Sequence, residues 1–275
     1  MKVLISVDLE GVSGIVHSVE TNPDRYDYER GRALMTAEAN AVVAGVLDAE
    51  PDAVVWVADA HGTFRNILPE DLDRRAHLVR GKPRPLGMLA GLDEQTDAVL
   101  LVGYHARAGA GPAVLAHTIS DAILDVRVAG RSLGEIGLNV AMAGHLDAPV
   151  VLLSGDDTAC AEFSELVPSA VTVAVKQTLG QAAAVALHPQ EARERLRHAA
   201  ADAVARRASI LPATMGGPLD VEVDLYGPYM VDLATLVPGV TRVGGGRTVA
   251  FRAADFAEAY RLVQLLVQLA GIKPS

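Results

Sequence analysis

The chain has 275 residues, half of them hydrophobic and only 4% aromatic, enough for one large domain or two modest ones with a core of mostly Ala, Val and Leu. Its formal net charge is -10 and no basic stripe offsets the acidity, which argues against nucleic acid as the main partner. No apolar stretch approaches the ~20 residues that a membrane span needs, so no membrane partner is expected.

The first apolar run, residues 3–7, reads as a buried strand that stops at Asp8-Leu9-Glu10, with Gly11 and Gly14 behind it. A strand has period two, so Asp8 and Glu10 point to the same side. Two carboxylates held side by side repel each other unless a positive charge sits between them, and a divalent metal is the commonest such charge. The pair also reads as an ordinary polar strand end. A phosphate loop fits poorly, because Gly11-Val12-Ser13-Gly14 lacks both the GxGxxG spacing and a Walker lysine.

Residues 28–49 carry helical periodicity in strong helix formers such as Leu34, Met35, Ala39, Val42 and Val46. Residues 53–58 form the next strand, which ends at Asp59 with His61 just beyond. Residues 77–80 suggest a short strand, and the apolar run 97–104 another, ending at His105. Residues 125–130 look like a hairpin arm, and 133–146 are helical. Residues 149–153 are a strand that ends in Ser154-Gly155-Asp156-Asp157, where an aspartate N-cap opens a helix. Residues 171–175 are a further strand. Lys176 behind it is either a solvated strand end or an anion-binding group, and the second reading is favoured. Beyond residue 181 come a long helix (189–208), a turn-rich break (213–218), a strand with one wet face (219–225), a short strand (248–252) and a closing helix (255–270). Near-continuous apolar strands separated by helices predict an α/β fold: a largely parallel sheet flanked by helices, with a smaller C-terminal α+β domain. The expected division is residues 1–180 for an α/β catalytic domain and 181–275 for the smaller one.

In open α/β sheets, ligands gather at the carboxyl ends of the strands. There the sequence delivers Asp8 and Glu10, Asp59 and His61, and His105. His117 and Glu135 follow closely in sequence. Carboxylates and imidazoles in this mixture suit zinc or another first-row divalent ion. The groups outnumber the three protein ligands of one catalytic zinc. A two-metal site, with ions roughly 3.5–4 Å apart and a bridging carboxylate, fits better. Asp59 either caps the turn that follows or orients an imidazole. His61 and His105, each after a different apolar strand, gain as ligands from their joint placement. His17, His77, His145, His188 and His198 lack that placement. Asp156 and Asp157 read as helix caps.

Taken together, these motifs resemble the zinc-dependent D-aminopeptidases of bacterial dipeptide-transport operons. The likeness starts at Ser6-Val7-Asp8-Leu9-Glu10-Gly11-Val12-Ser13-Gly14 and continues through Tyr28-Glu29-Arg30-Gly31-Arg32 and Met35-Thr36-Ala37-Glu38-Ala39-Asn40. It recurs at Asp59-Ala60-His61, Gly103-Tyr104-His105-Ala106-Arg107-Ala108, Ala116-His117-Thr118, Gly134-Glu135-Ile136-Gly137-Leu138-Asn139, Ser154-Gly155-Asp156-Asp157 and Val175-Lys176-Gln177-Thr178. It runs from residue 1 to about 180 and more weakly to the C-terminus. The resemblance implies two zinc ions per subunit. Asp8 would bridge them, Glu10 and His61 would complete one, and His105 and Glu135 the other. It implies that His117, near the metals and not a ligand, is the catalytic histidine. It further implies short D-amino-acid peptides as substrates and a ring-shaped homo-oligomer of ten subunits. Ala60 and Ala116 stand where the family carries small hydroxyl residues, a departure that alters hydrogen bonds around the site without costing metal.

Two other classes stay open at the level of sequence. One is a different binuclear metallohydrolase, an amidase or a phosphoesterase, in which Lys176 and Arg107 would serve an anionic substrate. The other is a non-enzymatic metal-binding protein. The single Cys160 cannot form an intrachain disulfide. The residues before Asp8 are too few for a signal sequence, so a cytoplasmic location is expected.

Overall fold

The computed structural model describes residues 1–272. Strand β1 (Lys2–Val7) leads into helix α1 (Tyr28–Ala49), then β2 (Val54–Asp59), β3 (Ala76–Val79) and β4 (Ala98–Tyr104). A hairpin of β5 (Ile123–Val128) and β6 (Arg131–Ser132) precedes α2 (Glu135–His145), β7 (Val150–Asp156), α3 (Asp157–Leu166), β8 (Val171–Gly180) and β9 (Ala183–Ala186). The chain closes with α4 (Pro189–Ala205), β10 (Leu219–Leu225), α5 (Pro228–Ala234), β11 (Thr241–Val243), β12 (Thr248–Ala253) and α6 (Phe256–Ala270).

The first sheet has the order β3-β2-β1-β4-β7-β8-β9, parallel throughout except for the terminal β8–β9 hairpin. Every residue of β4 and β7 is buried, so both faces of the sheet are covered, as continuous Val/Leu/Ala runs require. Helices α1 and α4 pack on each other and on the sheet, and α2 and α3 form a second pair against β4, β7 and β8. The α1–α4 crossing is close because Gly45 has no side chain: a Cβ there would overlap the Arg197 carbonyl oxygen. The chain moves outward from β1 to β3, then returns to β4 on the other side of β1. The strand order therefore reverses between β1 and β4, the switch point at which open α/β sheets bind ligands.

The second sheet, β11-β12-β10-β5-β6, is antiparallel. Alternating burial along β10 (Val221 and Val223 in, Asp220 and Glu222 out) gives it one apolar face, against which α5 and α6 pack. Its β5–β6 hairpin comes from the middle of the chain, so this sheet is built from both sides of residue 180. The fold is the expected α/β architecture with a largely parallel, helix-flanked sheet. Strands β9 and β11 and helix α5 carry no sequence signal: all have seven residues or fewer, and β9 has no buried residue to give it a hydrophobic period.

Candidate metal centre and active site

Two glycines bring the strand ends together at the switch point. The Gly11 amide donates to the Gly103 carbonyl at 2.8 Å, and a Cβ on Gly11 would overlap the Tyr104 carbonyl oxygen. Gly103 adopts a φ of +70°, and a side chain there would overlap the Asp8 carbonyl oxygen. Glycine is the residue that tolerates both the close approach and that conformation. The result sets Asp8 and Glu10, behind β1, beside His105, behind β4. The Ala60 amide donates to the Val7 carbonyl at 2.8 Å and so brings His61 to the same corner.

Each imidazole has one nitrogen at a backbone carbonyl. His61 Nε2 lies 2.8 Å from the Thr21 carbonyl oxygen, His105 Nδ1 3.0 Å from that of Ala106, and His117 Nδ1 2.8 Å from that of Leu115. A carbonyl can only accept, so that nitrogen carries a proton and the other faces the centre, offering a lone pair there when the ring is neutral. His61 Nδ1 lies 2.8 Å from Glu10 Oε2 and 3.3 Å from Asp8 Oδ1. His105 Nε2 lies 3.5 Å from Asp8 Oδ2 and 3.4 Å from Glu135 Oε1. His117 Nε2 lies 3.7 Å from Glu135 Oε1, and its ring stacks on His105 with centroids 4.1 Å apart. Glu135, the first residue of α2, also accepts the Ile119 amide at 2.6 Å.

This packing sets acceptor against acceptor. Asp8, Glu10 and Glu135 are no more than 6% exposed, and Asp8 Oδ2, Glu10 Oε2 and His105 Nε2 are buried with no hydrogen-bond partner. Burial pushes the Asp8 carboxyl up to about 7, reinforced by Glu10 and opposed by His61. Burial also acts to raise Glu10, but the facing imidazoles, His61 foremost, hold it well below the carboxylate range. Burial acts to lower both His61 and His105, yet the surrounding carboxylates win. They drive His61 well above its usual value and His105 up to about 10. The cluster draws positive charge into its middle. Donor atoms about 3.3 Å apart are what tetrahedral coordination with bonds of ~2.0–2.1 Å requires, so the residues fit a metal.

A cavity of about 970 Å³ opens on this corner, lined by Asp8, Glu10, His61, His117 and Glu135. His105 is 2% exposed and lies behind them. Phe64, Lys82 and Met88 form one wall, and Gln264 and Gln268 of α6 another. His117 sits between Leu115 (φ 52°) and Ile119 (φ 62°), two non-glycine residues in the left-handed region. The Gln181 carbonyl, accepting the Leu115 amide at 2.9 Å, and Glu135, accepting that of Ile119, hold the strained turn.

Asp59 takes the capping role. Its carboxylate accepts the amides of Asn66 and Ile67 and the Asn66 side-chain amide, and it touches no imidazole. Asn66, Thr21 and Leu115, which orient the site, have no sequence signal: two act through carbonyl oxygens, and Asn66 is an unremarkable loop residue. The anion-binding expectation for Lys176 is overturned. Lys176 is buried, 1% exposed, does not line the cavity, and its ammonium donates to three carbonyl oxygens. Arg107 lines a separate cleft with Arg131 and Glu162, so neither cation serves an anionic substrate at this site. Asp156 caps α3, accepting the Ala159 amide at 2.7 Å.

A family model described as D-aminopeptidase (peptidase M55) matches residues 1–265. The chain belongs to the D-aminopeptidase family. A D-aminopeptidase of Bacillus subtilis (strain 168) is 36% identical over 272 residues, 98% of each chain. A solved structure described as the Zn-dependent D-aminopeptidase DppA from Bacillus subtilis, a self-compartmentalizing protease, matches with a TM-score of 0.96 at 34% identity over the whole of both chains. This member of the D-aminopeptidase family is a hydrolase of the aminopeptidase class, as its motifs implied.

Proposed function

We propose that this protein is a zinc-dependent aminopeptidase that removes the N-terminal residue, of D configuration, from short peptides at a two-metal centre. The observation that carries the reading is the pair of buried Asp8 oxygens. Oδ1 faces His61 and Oδ2 faces His105, which suits a carboxylate shared by two ions. Glu10 and His61 then complete one ligand set, and His105 and Glu135 the other. Metals bound there would polarise the scissile carbonyl and lower the pKa of the attacking water. His117 moves protons: its Nδ1 is held by the Leu115 carbonyl, leaving Nε2 free on the cavity side to accept and return one. The D preference and the zinc are supported by the family and by the description of the Bacillus structure.

All six site residues fall within residues 1–180, and the part beyond 181 supplies cavity wall through α6. The self-compartmentalizing relative supports a homo-oligomer, and a ring of ten subunits is the assembly we infer. Exposed Leu179 and Val185 on the β8–β9 hairpin are consistent with subunit contacts. The proposed compartment is the cytoplasm, in keeping with the free, buried Cys160. Among the described residues no helix is long and apolar enough to cross a membrane. Elemental analysis coupled to hydrolysis of D- and L-alanyl p-nitroanilides tests the reading. Two zinc ions per chain with D preference are expected; a metal-free active protein, or preference for the L substrate, refutes it.

A further inference from the structure

The segment behind β1 that carries Asp8 and Glu10 has no strand ladder of its own, so its carbonyl groups need donors from elsewhere. Three of them converge on one atom. Lys176 Nζ donates to the carbonyl oxygens of Glu10 at 2.5 Å, Val12 at 3.0 Å and Ile15 at 2.6 Å. An ammonium has three N–H donors, so Lys176 is saturated and has none to spare for substrate. None of its partners is a carboxylate. Its direct partners are three backbone carbonyls, much as oxygen ligands surround a structural metal ion, and the nearby carboxylates of Asp156, Glu38 and Glu10 offset part of the cost of burying the cation. Two further ties act on the same turn: the Ser13 amide donates to Glu38 Oε1 at 2.8 Å, and Ser13 Oγ donates to the Leu187 carbonyl at 2.7 Å.

We propose that Lys176 is a positioning residue for the metal centre, an internal ammonium that fixes the Glu10–Ile15 backbone so that the Asp8 and Glu10 carboxylates meet the metals correctly aimed. This rests on the metal reading above. One of its three acceptors is the carbonyl of Glu10 itself, so displacement of the ammonium is transmitted directly to a ligand. The role is distinct from that of Glu38 and Leu187, which hold only Ser13, three residues beyond Glu10.

The test is transfer of zinc from the loaded protein to a chromogenic chelator, compared for wild type, Lys176→Met and Lys176→Arg, together with the cobalt(II) absorption spectrum of each. Methionine keeps the aliphatic stem and removes the ammonium. The expected result is zinc held about 10–100-fold more weakly, the effect typical of groups that orient metal ligands, and an altered cobalt spectrum. With excess zinc, kcat recovers while KM for D-alanyl p-nitroanilide stays unchanged. Arginine, whose planar fork cannot cap three converging carbonyls, also weakens zinc. Wild-type zinc affinity and cobalt spectrum in Lys176→Met overturn the proposal. If the methionine variant does not fold, Lys176→Arg decides on the same criterion. Failure of the wild-type protein to hold zinc overturns the metal reading itself; wild-type binding with unaffected variants overturns this proposal alone.

Discussion

His117 differs from the other two site histidines in what surrounds its free nitrogen. His61 and His105 each face two carboxylates, whereas His117 Nε2 has only Glu135 Oε1, at 3.7 Å, and its side chain is 23% exposed to the cavity. That suits a group that exchanges protons with substrate. His117→Ala is expected to keep its zinc and lose kcat by about 10²–10⁴-fold, the usual contribution of general acid–base catalysis. Zinc content measured beside kcat checks this, and loss of metal would make His117 a ligand, a role its distances to His105 and Glu135 also permit. Asp8 is the opposite case. Its two oxygens face two different imidazoles, so Asp8→Ala is expected to empty both metal positions, whereas Glu10→Ala empties one. Full zinc occupancy in the Asp8 variant, by elemental analysis, would contradict the bridging role. His117 and Glu135 only follow closely in sequence, but Asp8, Glu10, His61 and His105 were legible as candidate ligands because each lies within about three residues of the end of an apolar strand, a local pattern. Lys176 was not. A register shift opposite Gly155 and Asp156 turns two consecutive residues, Val175 and Lys176, inward, and strand period alone predicts that only one of them is buried.

Secondary-structure elements hold the site by being close-packed, and α1 against α4 is the tightest case. Gly45 lies against the Arg197 carbonyl with no room for a methyl group. Gly45→Ala gains helix propensity, about 1 kcal/mol, yet must push the two helices apart. We expect a net destabilisation of about 1–3 kcal/mol, the typical cost of overpacking, read as a lowered urea midpoint. An unchanged or raised midpoint would mean that the contact yields. The helices themselves are readable from the sequence: residues 28–49 by periodicity in strong helix formers, and α3 by its aspartate cap, Asp156, which accepts the Ala159 amide as Asp255 accepts that of Glu258 in α6. The short elements β9, α5 and β11 carry too few residues for a period to develop. The β5–β6 hairpin was visible as a hairpin, but its pairing with β10, across nearly a hundred residues, is a non-local choice that no local pattern encodes.

At the scale of the whole molecule, stability responds to buried charge. Burial pushes the Glu38 carboxyl up from 4.5 to about 7, opposed by the Ser13 amide and Lys176. The folded state therefore binds a proton between those values that the unfolded chain has released, and folding stability falls as pH rises from about 4.5 to 7 on account of this group. Glu38→Gln is expected to flatten that fall, measured as the difference in urea midpoint between pH 5 and pH 7. Identical slopes in the two proteins would show that Glu38 is not the source. Assembly belongs to the same scale: sedimentation is expected to give a species near ten times the chain mass, and a monomer would contradict the ring. By itself the sequence determined the alternation of buried strands and helices, the acids and histidines at the strand ends, and the family, because each rests on patterns within a few residues of one another. Only the tertiary structure decided which carbonyl turns each imidazole, which Asp8 oxygen faces which histidine, and that Lys176 supports the loop rather than a substrate. The Thr21–His61 and Lys176–Glu10 contacts join residues 40 and 166 positions apart along the chain, while the carbonyls at His105 and His117 are one and two residues away, and directions in space appear only once the sheet has brought the strand ends to one corner.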